Sequence, residues 1–180
     1  MQKFIGLDCY HTAIEKMGTE ARKFTSRWFR NEPNPSLLVL AGHTGCGKSH
    51  TLNAIVRFAR SGTHTAWEIG KWNGVPSVTY LHWPSAVDSL RKNDDSWLAD
   101  AFNAGLLALD EVGGADDPWQ NGTDKLCQIL SRRENKFTVL TTNIKPASWE
   151  EQFDVRIADR FLRNSSIVDL SQVQSYALVS

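Results

Sequence analysis

Leu37-Leu38-Val39-Leu40-Ala41-Gly42-His43-Thr44-Gly45-Cys46-Gly47-Lys48-Ser49 is the stretch on which the reading of this chain turns. Its first four residues are apolar without alternation, as in a strand buried on both faces of a parallel sheet. Gly42, Gly45 and Gly47 then let the backbone turn tightly and keep Cβ atoms away from an approaching group. Beyond Lys48, the apolar residues Leu52, Ile55, Val56 and Ala59 recur at helical spacing. Strand, glycine loop and helix N-terminus in that order leave backbone N–H groups facing an anion. Gly42, His43, Thr44, Gly45, Cys46, Gly47, Lys48, Ser49 and His50 are therefore the expected cradle for phosphates.

The spacing Gly-x-x-x-x-Gly-Lys-Ser is that of the P-loop nucleotide hydrolases. Lys48 is expected to reach the β- and γ-phosphates of ATP, and the Ser49 hydroxyl to ligate Mg²⁺. The plainer reading is a glycine turn between a strand and a helix. A second motif weighs against it. Leu106-Leu107-Ala108-Leu109-Asp110-Glu111 is an apolar strand that delivers two acids at its C-terminal end, the edge at which parallel sheets bind ligands. Asp110 is expected to hold Mg²⁺ opposite Ser49, and Glu111 to act as general base on the attacking water. A further strand ends in Thr141-Thr142-Asn143, where Asn143 either orients that water or caps a turn. Arg156, Arg160 and Arg163 are spaced by four and three, which places them on one helix face. That face is either solvated or the source of an arginine finger.

Composition narrows the setting. The chain has 180 residues, with 20 basic and 20 acidic side chains. One domain with an ordinary core is expected, and no global positive field announces nucleic acid. Cys9, Cys46 and Cys127 lack metal or CxxC spacing, which points to reduced thiols and a cytoplasmic protein. No signal peptide and no apolar run of membrane-spanning length is present.

The remaining periodicity gives an outline. A helix is predicted from Thr12 to about Arg30 on Ile14, Met17, Ala21, Phe24 and Trp28, ended by Pro33 and Pro35. Strand one covers about 36–41, and its helix runs to about Arg60. Residues 61–76 read as a connection with a short hairpin around Asn73-Gly74. Ser77–His82 is strand two, followed by helices over Pro84–Arg91 and Asp95–Asn103. Strand three is Ala104–Asp110. A helix starts at about Asp117 or Thr123 and ends at Asn135. Strand four is Lys136–Thr142. Helices at Ala147–Gln152 and Asp154–Arg163 lead to strand five at Ser166–Leu170. Strands alternating with helices make an α/β three-layer sandwich around a parallel sheet.

This order of elements resembles the AAA+ ATPases. Within them it looks most like the DnaC-type helicase loaders, their IstB transposition relatives and, more distantly, the DnaA initiator. The resemblance spans about residues 36–172. It rests on Ala-Leu-Asp-Glu-Val-Gly, Leu-Thr-Thr-Asn and Arg-Ile-Ala-Asp-Arg-Phe-Leu-Arg-Asn-Ser as well as the phosphate loop. It implies a five-stranded sheet of order 5-1-4-3-2, with residues 1–35 as an N-terminal linker and amphipathic helix packed on a 36–180 ATPase core. It also implies Asn143 as sensor 1 and Arg160 as a finger reaching a neighbouring subunit's ATP, with Arg156 as auxiliary or rival. A head-to-tail ring or helix follows, with a replicative helicase or initiator and single-stranded DNA as partners. By the same resemblance, the linker carrying Phe4, Ile5 and Leu7 lies against the adenine, unless these residues form a hydrophobic staple. The chain departs from many relatives in leaving no room for a C-terminal helical lid, and from helicase loaders in its short N-terminal extension.

Three functions compete. An ATP-hydrolysing switch in DNA replication uses Lys48, Asp110, Glu111, Asn143 and Arg160 together. An IstB-type transposition helper would use the same set. A non-hydrolysing, ATP-dependent binding module regulating a helicase or initiator has little need of Glu111. A small-molecule kinase would need an acceptor pocket and lid, for which no segment offers itself. Two basic clusters, Arg22/Lys23/Arg27/Arg30 and Arg132/Arg133/Lys136, are the candidates for DNA phosphates. Tyr80, Trp83, Trp67 and Trp72 either stack bases or anchor core and loops.

Overall fold

A computed structural model describes the backbone of residues 2–113 and 121–173, and side chains for 13–113 and 122–173. Five strands form one parallel sheet: β1 (Leu37–Gly42), β2 (Val78–His82), β3 (Leu106–Val112), β4 (Phe137–Thr142) and β5 (Ser165–Leu170). Their order is β2-β3-β4-β1-β5, which is the expected 5-1-4-3-2 read from the other edge. β1 lies between β4 and β5 and is buried along its whole length, which explains its unbroken apolar run.

Alternation along the strands sorts the core into two layers. Leu38, Leu40, Leu106, Ala108, Val139 and Val168 face α1 (Gln2–Arg30) and α2 (Lys48–Glu68), which supply Met17, Phe24, Trp28, Leu52, Ile55 and Ala59. Leu37, Val39, Ala41, Leu107, Leu109 and Leu140 face the other layer. That layer holds α3 (Trp83–Arg91), α4 (Leu98–Asn103), α5 (Asn121–Arg132), α6 (Trp149–Gln152) and α7 (Val155–Leu162), with a 3₁₀ turn at Pro146–Ser148. The result is an α/β three-layer sandwich.

Several element bounds differ from the sequence reading for physical reasons. α1 begins at Gln2 rather than Thr12. Residues 2–11 contain no proline, and Gly6 alone does not stop a helix that is already propagating. The expected linker at Phe4, Ile5 and Leu7 is therefore helical backbone, and their side chains lie outside the described residues. α2 continues past Arg60 to Glu68 because Gly62 sits against α1, where a Cβ would meet Phe29 and Trp28 at 3.7–3.8 Å. No hairpin forms at Asn73-Gly74. Instead Trp72 leaves the loop to pack on Trp28, ring centroids 6.0 Å apart, and on Phe137 at 6.1 Å. β3 does not stop at Asp110 but runs on to Val112 across a register shift against β4. The alternative start of α5 at Asp117 and the question of a C-terminal lid fall on residues outside those described.

Arg133 does not belong to a surface patch. It is 3% exposed. Its guanidinium donates to the carbonyls of Ala101, Ala104 and Phe137 at 2.6–2.9 Å and to Thr138 Oγ1 at 2.9 Å, tying the ends of α4 and α5 to β4. Burial pushes its pKa down to about 10, which leaves it charged at neutral pH. Beside it Arg132 stacks on Phe102 at 4.3 Å, and Lys136 bonds the Phe102 carbonyl at 3.1 Å. Trp83 is likewise a core residue, edge-on to Trp97 at 6.2 Å.

Candidate functional site

β1 delivers the glycine loop to the C-terminal edge of the sheet, and Gly47 caps α2 with φ +83°. Gly45 has the same left-handed φ, which a side-chain-bearing residue adopts only under strain. Gly42 is needed for a further reason: a Cβ there would lie 2.7 Å from Leu170 Cβ on β5. His43, Thr44 and Gly45 form the exposed crest of the loop. Lys48 is 6% exposed. Its Nζ donates to the carbonyls of Gly42 and His43, both at 2.7 Å. Burial lowers the Lys48 pKa from its ordinary value, and the charges of Asp110 and Glu111 work against that shift. Cys46 is fully buried, and its Sγ donates to the carbonyl of Val173 at 3.5 Å. Its thiol faces the end of β5 rather than the anion side.

Asp110 is the centre of the second half. It is 5% exposed and accepts three hydroxyl hydrogen bonds. Ser49 Oγ reaches Oδ1 at 2.9 Å, Thr141 Oγ1 reaches Oδ1 at 2.5 Å, and Tyr80 Oη reaches Oδ2 at 3.1 Å. Burial first, then the charge and hydrogen bond of Asp110, push the Tyr80 phenol up to about 12. It therefore remains a donor at neutral pH. Glu111 adopts φ +62°, a conformation costing about 1–3 kcal/mol for a non-glycine residue. Its N–H leaves the ladder for Thr141 Oγ1 at 2.9 Å, which accounts for the shift in register. The carboxylate is half-exposed and lies 3.3 Å from His82 Nε2, whose Nδ1 meets Ser85 Oγ at 2.8 Å.

Loop and Glu111 open on one cleft of about 700 Å³, lined by Thr44, Gly45, Gly47, Lys48, Ser49, His50, Thr51, Glu111, Thr141 and Asn143, with Asp110 buried behind Ser49 and Thr141. α1 closes one side with Ile14 and Met17, which the sequence reading had assigned only to helix packing. Asn143 is exposed at the tip of β4, as its place after Thr141-Thr142 predicted. Tyr80, expected to stack bases or anchor the core, and Thr141, expected only as part of the strand before Asn143, are both partners of Asp110. Tyr80 lies in register with Ala108, two residues before Asp110 on β3, and Thr141 lies on β4 beside it, which only the strand register reveals.

The residue set fits a nucleotide with Mg²⁺. Ser49 and Asp110 are hard oxygen donors, as Mg²⁺ requires, and they already lie in contact. Among the described residues no group of three or more His, Cys, Asp and Glu could hold a metal by itself. A cation here needs further oxygens, of the kind phosphates carry.

Arg156 and Arg160 do not reach this cleft. They line a separate groove between α5 and α7 with Asp124, Cys127, Gln128, Ser131 and Arg132. Arg156 is held by Asp154 at 2.9 Å and Asp124 at 3.3 Å, and its guanidinium keeps the Asp154 carboxyl down at about 2. Arg160 has no hydrogen bond or ion pair among the described residues. Arg163 lies beyond the end of α7 in extended backbone and pairs with Asp159 at 2.8 Å. It lines a further cavity together with Arg160.

Sheet order, loop and acid-tipped strand define a P-loop NTPase fold. Solved structures of DnaC, DnaI and DnaA share this arrangement of elements. The chain is similar to a DnaC helicase loader, with TM-score 0.65, 17% identity, and 87% of this chain and 89% of that one covered. It is similar to DnaI at 0.63 and 22%, covering 87% and 84%. It is also similar to a replication initiator DnaA bound to AMPPCP and single-stranded DNA, at 0.61 and 17%. There 89% of this chain matches 46% of the other, so the chain spans about half of that initiator. At these identities the likeness is one of fold. No protein-family profile matches the chain, and no curated protein matches it in sequence. No helix among the described residues is long and apolar enough to cross a membrane.

Proposed function

We propose that this protein is a cytoplasmic ATP-binding and ATP-hydrolysing switch of DNA replication, of the kind represented by DnaC-type helicase loaders. The observation that carries this reading is the convergence on one cleft of the glycine loop, Lys48, the Ser49–Asp110 contact, Glu111 and Asn143. The fold likeness to DnaC, DnaI and DnaA supports the replication setting. Partners follow by the same likeness: a replicative helicase or initiator, single-stranded DNA, and further copies of this chain.

The chain's own residues divide the work. Loop N–H groups and the N-terminus of α2 bind the phosphates, and Lys48 turns its ammonium from the loop carbonyls to them. Bound Mg²⁺ supplies neutralisation of charge on the β- and γ-phosphates. Ser49 and Asp110 are the residues that would hold it. Asn143 orients the attacking water. Glu111 accepts the proton of that water as its oxygen bonds to the γ-phosphorus and the bond to ADP breaks, and later returns it. Arg160 reaches the γ-phosphate of a neighbouring copy, since it has no access to its own cleft.

The test is a pair of variants compared with the parent by calorimetry and phosphate release. Lys48→Ala weakens ATP binding by about 1.5–3 kcal/mol, the scale of a lost charge-assisted hydrogen bond. Glu111→Gln retains ATP and loses about 10²–10⁴-fold in turnover. Unchanged affinity in the first variant overturns the site. Parental turnover in the second makes Glu111 a surface acid only, and no turnover in the parent itself leaves the cleft a binding module rather than a catalyst.

A further inference from the structure

Tyr80 stands out because neither the fold nor the hydrolysis scheme requires it. It lies on the edge strand β2, in register with Ala108 of β3. Asp110 is two residues further along β3 and so on the same face, one diagonal step from Tyr80. Ala108 between them is small enough to let the Tyr80 ring lean across toward Asp110. The phenol ends 3.1 Å from Oδ2, while Ser49 and Thr141 share Oδ1.

We propose that Tyr80 is a positioning residue that pins the Asp110 carboxylate and thereby makes the site prefer Mg²⁺ to Ca²⁺. This inference rests on the Mg²⁺-nucleotide reading of the cleft. With donors on both oxygens, the carboxylate cannot swing to offer the pair of them to one cation. Mg²⁺ is small, demands near-octahedral geometry and keeps its waters, so a fixed carboxylate presented from one side suits it. Ca²⁺ takes more oxygens and often chelates both of one carboxylate. Thr141 and Ser49 alone leave Oδ2 free to turn; the Tyr80 hydroxyl removes that freedom.

The experiment measures equilibrium binding of fluorescent mant-ADP to the full chain, first in EDTA and then titrated with Mg²⁺ or Ca²⁺. In Tyr80→Phe the affinity in EDTA stays at the parental value. The Mg²⁺ concentration for half-saturation rises by about tenfold, the scale seen when an outer partner of a metal ligand is removed. That for Ca²⁺ does not rise, so the Mg²⁺/Ca²⁺ preference shrinks. Tyr80→Leu, which also lacks the oxygen, shifts the preference the same way and serves if the Phe variant does not fold. Asp110→Asn abolishes the metal dependence, and adding Tyr80→Phe to it changes nothing further. Three results overturn the proposal: an unaltered Mg²⁺/Ca²⁺ ratio, a parallel loss with EDTA and both metals, or additivity with Asp110→Asn. In each of these the parent still binds mant-ADP more tightly with Mg²⁺, so the reading of the cleft survives. If the parent gains no affinity from Mg²⁺, that reading falls and the proposal with it.

Discussion

Thr141 uses a single hydroxyl to fix two acids. Its O–H donates to Asp110 Oδ1, and its oxygen accepts from the N–H of Glu111, whose left-handed backbone has no other place for that proton. Valine has the same shape and neither function. Thr141→Val should therefore cost about 1–3 kcal/mol in denaturant unfolding, because it leaves buried polar groups unpaired. Its effect should not stop at stability. Without the Thr141 oxygen, Glu111 is free to return to ordinary strand geometry, which turns its carboxylate to the opposite face. Turnover should fall with Thr141→Val even where the protein is fully folded, while mant-ADP affinity in EDTA stays put. Equal losses in both would make Thr141 a packing residue only.

Among the elements, α4, α5 and β4 meet at Arg133, and its substitution is the sharpest check on the packing of that layer. Three carbonyls and one hydroxyl lose their donor in Arg133→Met. The expected destabilisation is about 3 kcal/mol or more, read as a fall in Tm of about 6–12 °C for a domain of this size. DNA affinity per folded molecule should not change. Glu134 and Lys136 flank Arg133 in sequence, and a run of charges reads as a solvated or phosphate-facing surface. Only the chain's return through Ala101 and Ala104 makes it an interior residue. The same distinction separates what sequence could and could not reveal elsewhere. Leu37–Ser49 and Leu106–Glu111 declared themselves because strand, loop and acid lie within one short window. Tyr80 and Arg133 did not, because their partners are 30 or so residues away and depend on register. Local propensity likewise placed the end of α2 too early, since Gly62 reads as a breaker until α1 is seen lying on it.

At the scale of the whole molecule, cleft and Arg160 lie in different places. The cleft opens at the C-terminal edge of the sheet between α1 and α2, while Arg160 looks out from the groove of α5 and α7. An arginine so placed completes an active site only from a second copy. Such a contact would join unlike surfaces, and so would build rings or open helices rather than a closed two-fold dimer. Arg160→Ala should bind ATP normally and lose up to about 10³-fold in hydrolysis. Mixing it with Glu111→Gln subunits should recover activity, because some junctions then pair an intact Glu111 with an intact Arg160. Phosphate release from the mixture measures this directly, with co-assembly checked by size. Activity no higher than that of either variant alone would place the arginine outside the reaction.

Cys46 turns the phosphate loop into its own clock. Its sulfur is sealed beneath the loop against the Val173 carbonyl and is fully buried. Alkylation therefore waits for a local opening, so the labelling rate counts those openings. With Cys9 and Cys127 replaced by serine, iodoacetamide labelling followed by mass spectrometry reads one site. Nucleotide that seats only on the closed loop should slow labelling by a factor of 1 + [L]/Kd. An identical rate with and without saturating nucleotide would mean that the loop opens as freely when occupied as when empty. Where labelling does slow, affinity is readable from the rate at which one sulfur comes into view, with no label on the nucleotide.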